Sequence, residues 1–517
     1  MQRSPALRRW AVLTTAFSCL TLLWILASPP ASGPDENAHA VKAAAAARGD
    51  LVGRPDPEVG AASRIVRAPA VLDRMRAIAG CFAFQPTIPA SCSPSFTGSE
   101  EDVDLTTRAG LSPPTYHVLT GLPLRISPSA PGLYAARATG GILAAGLVAA
   151  ALTLASLRQR ATYLVLGGLV AWTPTALYFT AVLNPSGLEL SAALLVWVTA
   201  ILLADPDGLP SGAVAALPWA AAVGASALLL ARQLGPLWLA LIALGVAPLL
   251  TMTRVRVLAR WRTMRLASIP VGVASAAALT WLAVYKPLAS KATSDAFDVS
   301  LLRAAAITFG RLGDVYTGAI GRFGWLDTPV PRSVEWLWTG LLFGLLGLGW
   351  ALGARRVRIA LGVSLLVAVA APPLIEASQL DTAGLVWQSR YTLPLAFGAP
   401  LLAGHALDRR RPAVDELRSW ATLCIAGVGI AHLAAFYVAL RRYVVGTDGP
   451  VWFLGATGWE PPLPPWLLLL AFIAALSATG WWLHHVVSSG GGAPDDQCEV
   501  VAPRRDTGLG TDLVIRQ

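Results

Sequence analysis

Twelve apolar stretches of 17 to 26 residues, with few charged side chains inside them, decide what this chain can fold into. A bilayer core about 30 Å thick is crossed by roughly 20 apolar residues of helix, so runs of this length read as membrane spans. They lie near 10–28, 131–156, 161–182, 186–204, 211–231, 235–252, 267–288, 336–353, 359–375, 391–407, 419–439 and 465–486. The 517 residues are 55% hydrophobic and 14% charged, against about 45–50% and 25% in soluble domains. The expected fold is an all-α polytopic membrane domain over 1–487 with about twelve transmembrane helices. A tail from 488 to 517, rich in Gly, Ser and charge, cannot bury enough surface to fold alone and is expected to be disordered. One further apolar stretch, Thr115 to Leu124, is half the needed length and flanked by Pro113, Pro114 and Pro123. It reads as a short interfacial or re-entrant helix.

Short loops rich in Lys and Arg stay cytoplasmic. Arg3, Arg8 and Arg9 precede the first run and place the amino terminus inside. Alternating twelve spans from there puts Arg158 with Arg160, the Arg254 to Arg265 group, Arg355 to Arg358 and Arg409 to Arg418 on the inner face, with both termini cytoplasmic. Of the tight arginine clusters, only Arg441 with Arg442 falls outside, which marks that pair for a role other than orientation. If 115–124 crossed as well, the bias would fail. The net charge of +10 is thus a matter of topology, and no soluble basic domain exists to bind nucleic acid. The first run, preceded by arginines and followed by Ala27 and Ser28, also has features of a signal peptide, but it exceeds the usual 7–15-residue apolar region.

Two segments expected outside, 29–130 and 289–335, are long enough to carry function. Cys81 and Cys92 lie in the first, on the side where disulfides persist, and are expected to pair. Cys19 and Cys424 sit in apolar runs as packing residues, and Cys498 is in the tail. The loop starts with Gly33-Pro34-Asp35-Glu36-Asn37-Ala38-His39, in which Pro34 and the two acids suit a helix start. Glu36 and His39, three apart, share a helical face. A solvated cap needs no more than this. The chemical reading is a carboxylate, Asp35 or Glu36, that takes a proton from a hydroxyl, or a site for Mg or Mn formed by Asp35, Glu36 and His39.

Other polar residues fall on the same expected face: Asn184, Glu189 and Arg232 at helix ends, Asp327 in the second outer segment, Gln388, Arg390 and Tyr391 opening the tenth run, and Arg441 and Arg442 closing the eleventh. Acids near the first helix and arginines near later ones suit a lipid phosphate with a polar head group, because arginine binds phosphate as a bidentate fork and stays charged in apolar surroundings.

These motifs carry a family resemblance. Pro29 to His39, Pro113-Pro114-Thr115-Tyr116-His117, Asn184-Pro185-Ser186-Gly187-Leu188-Glu189, Arg232-Gln233-Leu234-Gly235-Pro236, Gly324-Trp325-Leu326-Asp327-Thr328-Pro329 and Gln388-Ser389-Arg390-Tyr391-Thr392-Leu393-Pro394 resemble, in order and spacing over about 30–445, the bacterial multi-pass family called domain of unknown function 2142. That family is in turn distantly similar to the C-type membrane glycosyltransferases, which use polyprenyl-phosphate sugars on the outer face. The resemblance implies a bacterial plasma-membrane protein, an envelope glycan acceptor, Asp35 or Glu36 as base or metal ligand, and Arg390 on the donor phosphate, with His39 and Tyr391 secondary. Two features depart from those transferases. Ser112-Pro113-Pro114-Thr115-Tyr116 stands where they often carry a His-Pro-Pro-Leu-Tyr-like stretch, and only about 30 residues follow the last run, where they often add a soluble domain.

The expected function is glycosyl transfer. Asn184, Arg232, Asp327, Gln388, Arg441 and Arg442 are further candidates for holding substrate. The competing expectations are a transporter or flippase of lipid-linked glycans and a non-enzymatic envelope-assembly protein. Transport calls for polar residues at mid-helix and broken helices in corresponding halves. Only Glu189 and Glu376 lean that way, and no internal repeat is evident.

Overall fold

A computed structural model describes residues 5–159, 162–288, 300–410 and 414–489. Arg3, Arg160, Arg411, the stretch 289–299 and the expected tail beyond Ser489 lie outside the described residues, as does the side chain of Arg418.

Helix α1 (Pro5–Leu26) leads through a short loop to α2 (Glu36–Ala47). Strands β1 (Arg54–Asp56), β2 (Gly60–Pro69) and, after α3 (Arg74–Phe82), β3 (Asp102–Thr107) form an antiparallel sheet in the order β1-β2-β3, with Val66 opposite Leu105. Helix α4 (Pro114–Ile126) then lies against α2. Gly121 permits that approach, since a Cβ there would overlap the Ala43 carbonyl. The loop expected to hold short helices therefore holds α2, α3 and α4 together with a small sheet.

Next come α5 (Ala130–Ser156), α6 (Thr162–Ala171), α7 (Pro174–Ala181), α8 (Ser186–Ala204), α9 (Ser211–Ala231), α10 (Gly235–Val246), α11 (Met252–Arg260) and α12 (Arg262–Tyr285). Helices α13 (Leu301–Gly310) and α14 (Leu312–Gly321) precede a hairpin of β4 (Arg322–Phe323) and β5 (Thr328–Pro329). The chain closes with α15 (Arg332–Leu352), α16 (Arg355–Ser378), α17 (Leu380–Ala383), α18 (Ser389–Ala396), α19 (Gly398–Arg409), α20 (Val414–Val445) and α21 (Pro465–Ser489).

Among the described residues nine helices are long and apolar enough to cross a membrane, or ten if the bent pair α6–α7 is one span. The expected count of about twelve regular spans is therefore not confirmed among the described residues. The run 161–182 bends by 63° between α6 and α7, where Thr173 caps α7 and Pro174 opens it. The run 235–252 gives only the 12-residue α10 and a 3-10 turn containing Pro248, and 391–407 divides at Phe397, between α18 with its internal Pro394 and α19 with Pro400. A proline removes a backbone donor and crowds the preceding turn, so an apolar run need not be one helix.

Loops and helix ends gather into two groups. In one, Arg9 donates to the Ser156 carbonyl (2.7 Å), Arg158 pairs with Asp205 (2.9 Å), Arg254 donates to the Leu203 carbonyl (2.8 Å) and Arg409 pairs with Asp205 and Asp207. These belong to the arginine clusters expected on one face. The other group holds α2 to α4, both sheets and the starts of α8 and α18.

Candidate functional site

Asp35 and Glu36 are adjacent in sequence and differ in everything else. Asp35 takes a left-handed backbone conformation (φ 62°), a region that short polar side chains such as Asp tolerate best among non-glycine residues. Its side chain is 53% exposed, and Oδ2 accepts a hydrogen bond from Arg390 Nη2 at 2.7 Å. Asp35 also borders a cavity of 560 Å³ that is lined in addition by Asn37, Asp56, Asp73, Arg76, Arg108 and Trp325.

Glu36 is fully enclosed. Arg137 from α5 grips both carboxylate oxygens at 2.7 Å through Nε and Nη2, and the backbone amides of Leu183 (2.8 Å) and Gly33 (3.3 Å) add two more bonds. Arg137 also donates to the Ser28 and Pro29 carbonyls. The Asn184 amide donates to the Pro34 carbonyl at 3.0 Å, so Asn184 braces the same loop.

His39 lies one turn after Asp35, its Nδ1 3.0 Å from Nε2 of His117 on α4. Nδ1 of His117 lies 3.1 Å from the Pro113 carbonyl, which can only accept, so that nitrogen carries a proton. Both rings are buried. Burial holds the His39 pKa well below the ordinary value, and the nearby charges of Arg232 and Arg390 push it the same way. His117 is lowered first by burial, then by His39 and Lys42. Burial also brings Lys42 down to about 8, with its ammonium group on the carbonyls of Leu51 and Gly110.

Arg390, at the start of α18, is 1% exposed. Its guanidinium sits over the rings of Phe179 (5.2 Å) and Tyr391 (5.0 Å), and Nη2 also reaches the Tyr391 hydroxyl at 3.0 Å. Nε and Nη1 are buried with no hydrogen-bond partner among the described residues. A buried polar group left unpaired costs about 1–3 kcal/mol, and more when charged. Arg232 lies 4.9 Å from the same Tyr391 ring, donates to Ser186 Oγ and faces Glu189 at 3.9 Å. Glu189 accepts from Trp238 through Oε1, while Oε2, the oxygen nearest Arg232, has no hydrogen-bond partner among the described residues. A 220 Å³ cavity runs beside this group, lined by Glu189, Arg232, Trp238, Glu376, Trp387 and Tyr391. Gln388 Oε1 is buried one turn from Tyr391 and has no hydrogen-bond partner among the described residues.

The remaining candidates form a separate structural unit. Arg442 is buried, pairs with Asp327 (3.2 Å) and donates to the carbonyls of Phe82 (2.7 Å) and Ile88 (2.6 Å). Arg441 holds the carbonyls of Thr447 and Pro450. The disulfide Cys81–Cys92, with Cα atoms 5.9 Å apart, closes the segment that Arg442 grips. Among the described residues neither arginine shares a hydrogen bond or ion pair with Asp35, Arg232 or Arg390.

The suggested cation site does not fit this geometry. Asp35, Glu36 and His39 turn to three different partners, Arg390, Arg137 and His117, and no group of three or more His, Cys, Asp or Glu among the described residues is placed to hold a metal.

Sequence reasoning missed Arg137, His117 and Phe179. Arg137 carried a signal, because an arginine inside an apolar span costs roughly 2.5–3.5 kcal/mol on insertion scales and calls for a partner.

Residues 18–399 match the model of the family described as Predicted membrane protein, DUF2142. The chain belongs to this family. Two solved structures are similar to it, those of ArnT from Cupriavidus metallidurans bound to undecaprenyl phosphate and in the apo state. Each is 15% identical and covers 93% of this chain; the TM-scores are 0.42 and 0.40, over 77% and 76% of those chains. No curated protein matches the chain. Within its family, this polytopic membrane protein combines a half-exposed aspartate with a buried arginine whose donors are only partly used.

Proposed function

We propose that the protein transfers a glycosyl group from a polyprenyl-phosphate donor to a hydroxyl of an envelope acceptor at the extracytoplasmic face. The observation that carries this reading is Arg390, buried against two aromatic rings, with one nitrogen on Asp35 and two without a hydrogen-bond partner among the described residues. A phosphate supplies the acceptor oxygens that a guanidinium fork lacks here, and Arg232, over the same Tyr391 ring, adds a second positive charge.

In the transfer step the acceptor oxygen attacks the anomeric carbon as the bond from that carbon to the phosphate oxygen breaks. The phosphate leaves with the bonding electrons, held by Arg390 and Arg232. The acceptor's proton passes to Asp35, whose Oδ1 has no described partner and whose side chain borders the larger cavity. Attack from the side opposite the leaving group inverts the anomeric configuration. Glu36, with both oxygens held by Arg137 and backbone amides, builds the loop and takes no proton.

Mass spectrometry of lipid-linked sugars and envelope glycans in a deletion strain tests this. The strain is expected to accumulate the donor lipid and lose a glycan decoration. Wild-type protein should restore it, and Asp35→Asn at equal abundance should not. Full restoration by Asp35→Asn would remove the proposed base, and an unchanged lipid and glycan profile on deletion would remove the transfer.

A further inference from the structure

The two histidines determine each other's protons. Since the Pro113 carbonyl takes the Nδ1 hydrogen of His117, the neutral ring presents a bare Nε2. That lone pair can only accept, so Nδ1 of His39 donates to it across 3.0 Å. A neutral His39 with hydrogen on Nδ1 has a bare Nε2, which meets no hydrogen-bond donor among the described residues. The close approach of α2 and α4 at Ala43 and Gly121, one turn beyond the pair, fixes their separation.

The His39 amide donates to the carbonyl of Asp35, the residue that precedes α2, while the carboxylate of Asp35 receives Arg390, whose charge acts on the His39 ring. The neighbourhood thus offers two opposite kinds of unmet bond. The free nitrogens of Arg390 are donors and demand acceptor oxygens. Nε2 of His39 is an acceptor and repels an anionic oxygen, so the group it meets must bring a hydrogen. A bare phosphate answers only the first demand. A sugar phosphate answers both.

We infer that a sugar hydroxyl of the donor lodged against Arg390 donates its hydrogen to Nε2 of His39, and that His117 is the positioning residue that holds His39 in the accepting tautomer. This rests on the sugar-phosphate reading above and adds the element of sugar recognition. The charged groups acting on the pair are Arg232 and Arg390 on His39 and Lys42 and Arg232 on His117; all oppose a proton on either ring.

Solid-state ¹⁵N NMR of ¹⁵N-histidine-labelled protein in bilayers, with assignment by His39→Phe and His117→Phe, reads the tautomers directly. Both rings are expected to be neutral with Nδ1 protonated, and a coupling across the Nδ1 to Nε2 hydrogen bond should vanish in either variant. An imidazolium at His39 at neutral pH, or hydrogen on its Nε2, would overturn the inference whatever the protein transfers. Native mass spectrometry supplies the ligand arm, with undecaprenyl phosphate and the same lipid carrying glucose or galactose as probes. His39→Phe is expected to weaken the glycosylated lipid about tenfold, the worth of one hydrogen bond, and to leave the sugar-free lipid unchanged. Equal weakening of both lipids would overturn the inference and spare the donor reading. Wild-type protein that retained neither lipid would overturn both.

Discussion

At the scale of single residues, neighbours of the same chemical type are separated by what they touch. Glu36 and Arg137 form a fully buried, bidentate pair, so removing one charge strands the other at a cost of about 3–5 kcal/mol. Glu36→Gln is expected to lower thermal stability in detergent by that order, and adding Arg137→Met should recover part of it. A double-mutant cycle measures that recovery. Asp35→Asn keeps an amide oxygen for Arg390 and should retain most of the stability. The histidine pair gives stability a pH dependence of defined sign. Both folded pKa values lie below the unfolded value of about 6.5, so as the pH falls below 6.5 the unfolded chain takes up protons that the folded one refuses. Stability is full above the unfolded pKa and falls by about 1.4 kcal/mol per pH unit per ring until the folded pKa is reached. Melting curves between about pH 7 and pH 5 should therefore be flatter for His39→Gln with His117→Gln than for wild type. Equal slopes would mean that the rings are charged in the fold.

At the scale of elements, one buried arginine ties a loop to a helix. Arg442 of α20 meets Asp327 of the hairpin and the carbonyls of Phe82 and Ile88, while Cys81–Cys92 closes the same segment covalently. Arg442→Met strands the nearly enclosed Asp327 and is expected to cost about 3–5 kcal/mol, and Cys81→Ser with Cys92→Ser about 2–4. Because both act on one segment, their effects should not add. Limited proteolysis within 83–93, compared among single and combined variants, measures this, and strict additivity would mean that the two restraints act on different motions. Legibility in the sequence also divides by element. Long apolar runs such as 131–156 and 186–204 became α5 and α8 almost residue for residue, because length and hydropathy are all that a regular span needs. The breaks within 235–252 and 391–407 are not legible in the sequence, since hydropathy is blind to a turn at Phe397 or to Pro248. In the outer loop, β2 is long but mixed in polarity and β3 alternates over only a few residues, too little to announce a sheet. Asp35 and Glu36 could not be told apart because the deciding partner of Glu36 is 101 residues away on α5.

For the whole molecule, the proposed transfer makes sense only if the site's face is the outer one, the orientation expected from the arginine bias independently of any substrate. Arg9, Arg158, Arg254 and Arg409 meet at one end with Asp205 and Asp207, while Asp35, Arg232 and Arg390 lie at the other. The broken pair α18–α19 joins the two ends, with Arg390 at its start and Arg409 at its finish. Short arginine-rich loops are retained on the cytoplasmic side, and a polyprenyl-phosphate sugar destined for the envelope is used on the opposite one. Single cysteines at two exposed positions separate the faces. Phe84 is 70% exposed beside the disulfide loop, and Gly212 opens α9 at the arginine-rich end with open space around it. In intact cells whose outer barrier admits the reagent, a membrane-impermeant maleimide is expected to label Phe84→Cys at once and Gly212→Cys only after the membrane is permeabilised. The reverse pattern would turn Asp35 and Arg390 toward the cytoplasm. An acceptor in the envelope would then be out of reach, and the same carboxylate and guanidinium would have to serve a donor and acceptor made inside the cell.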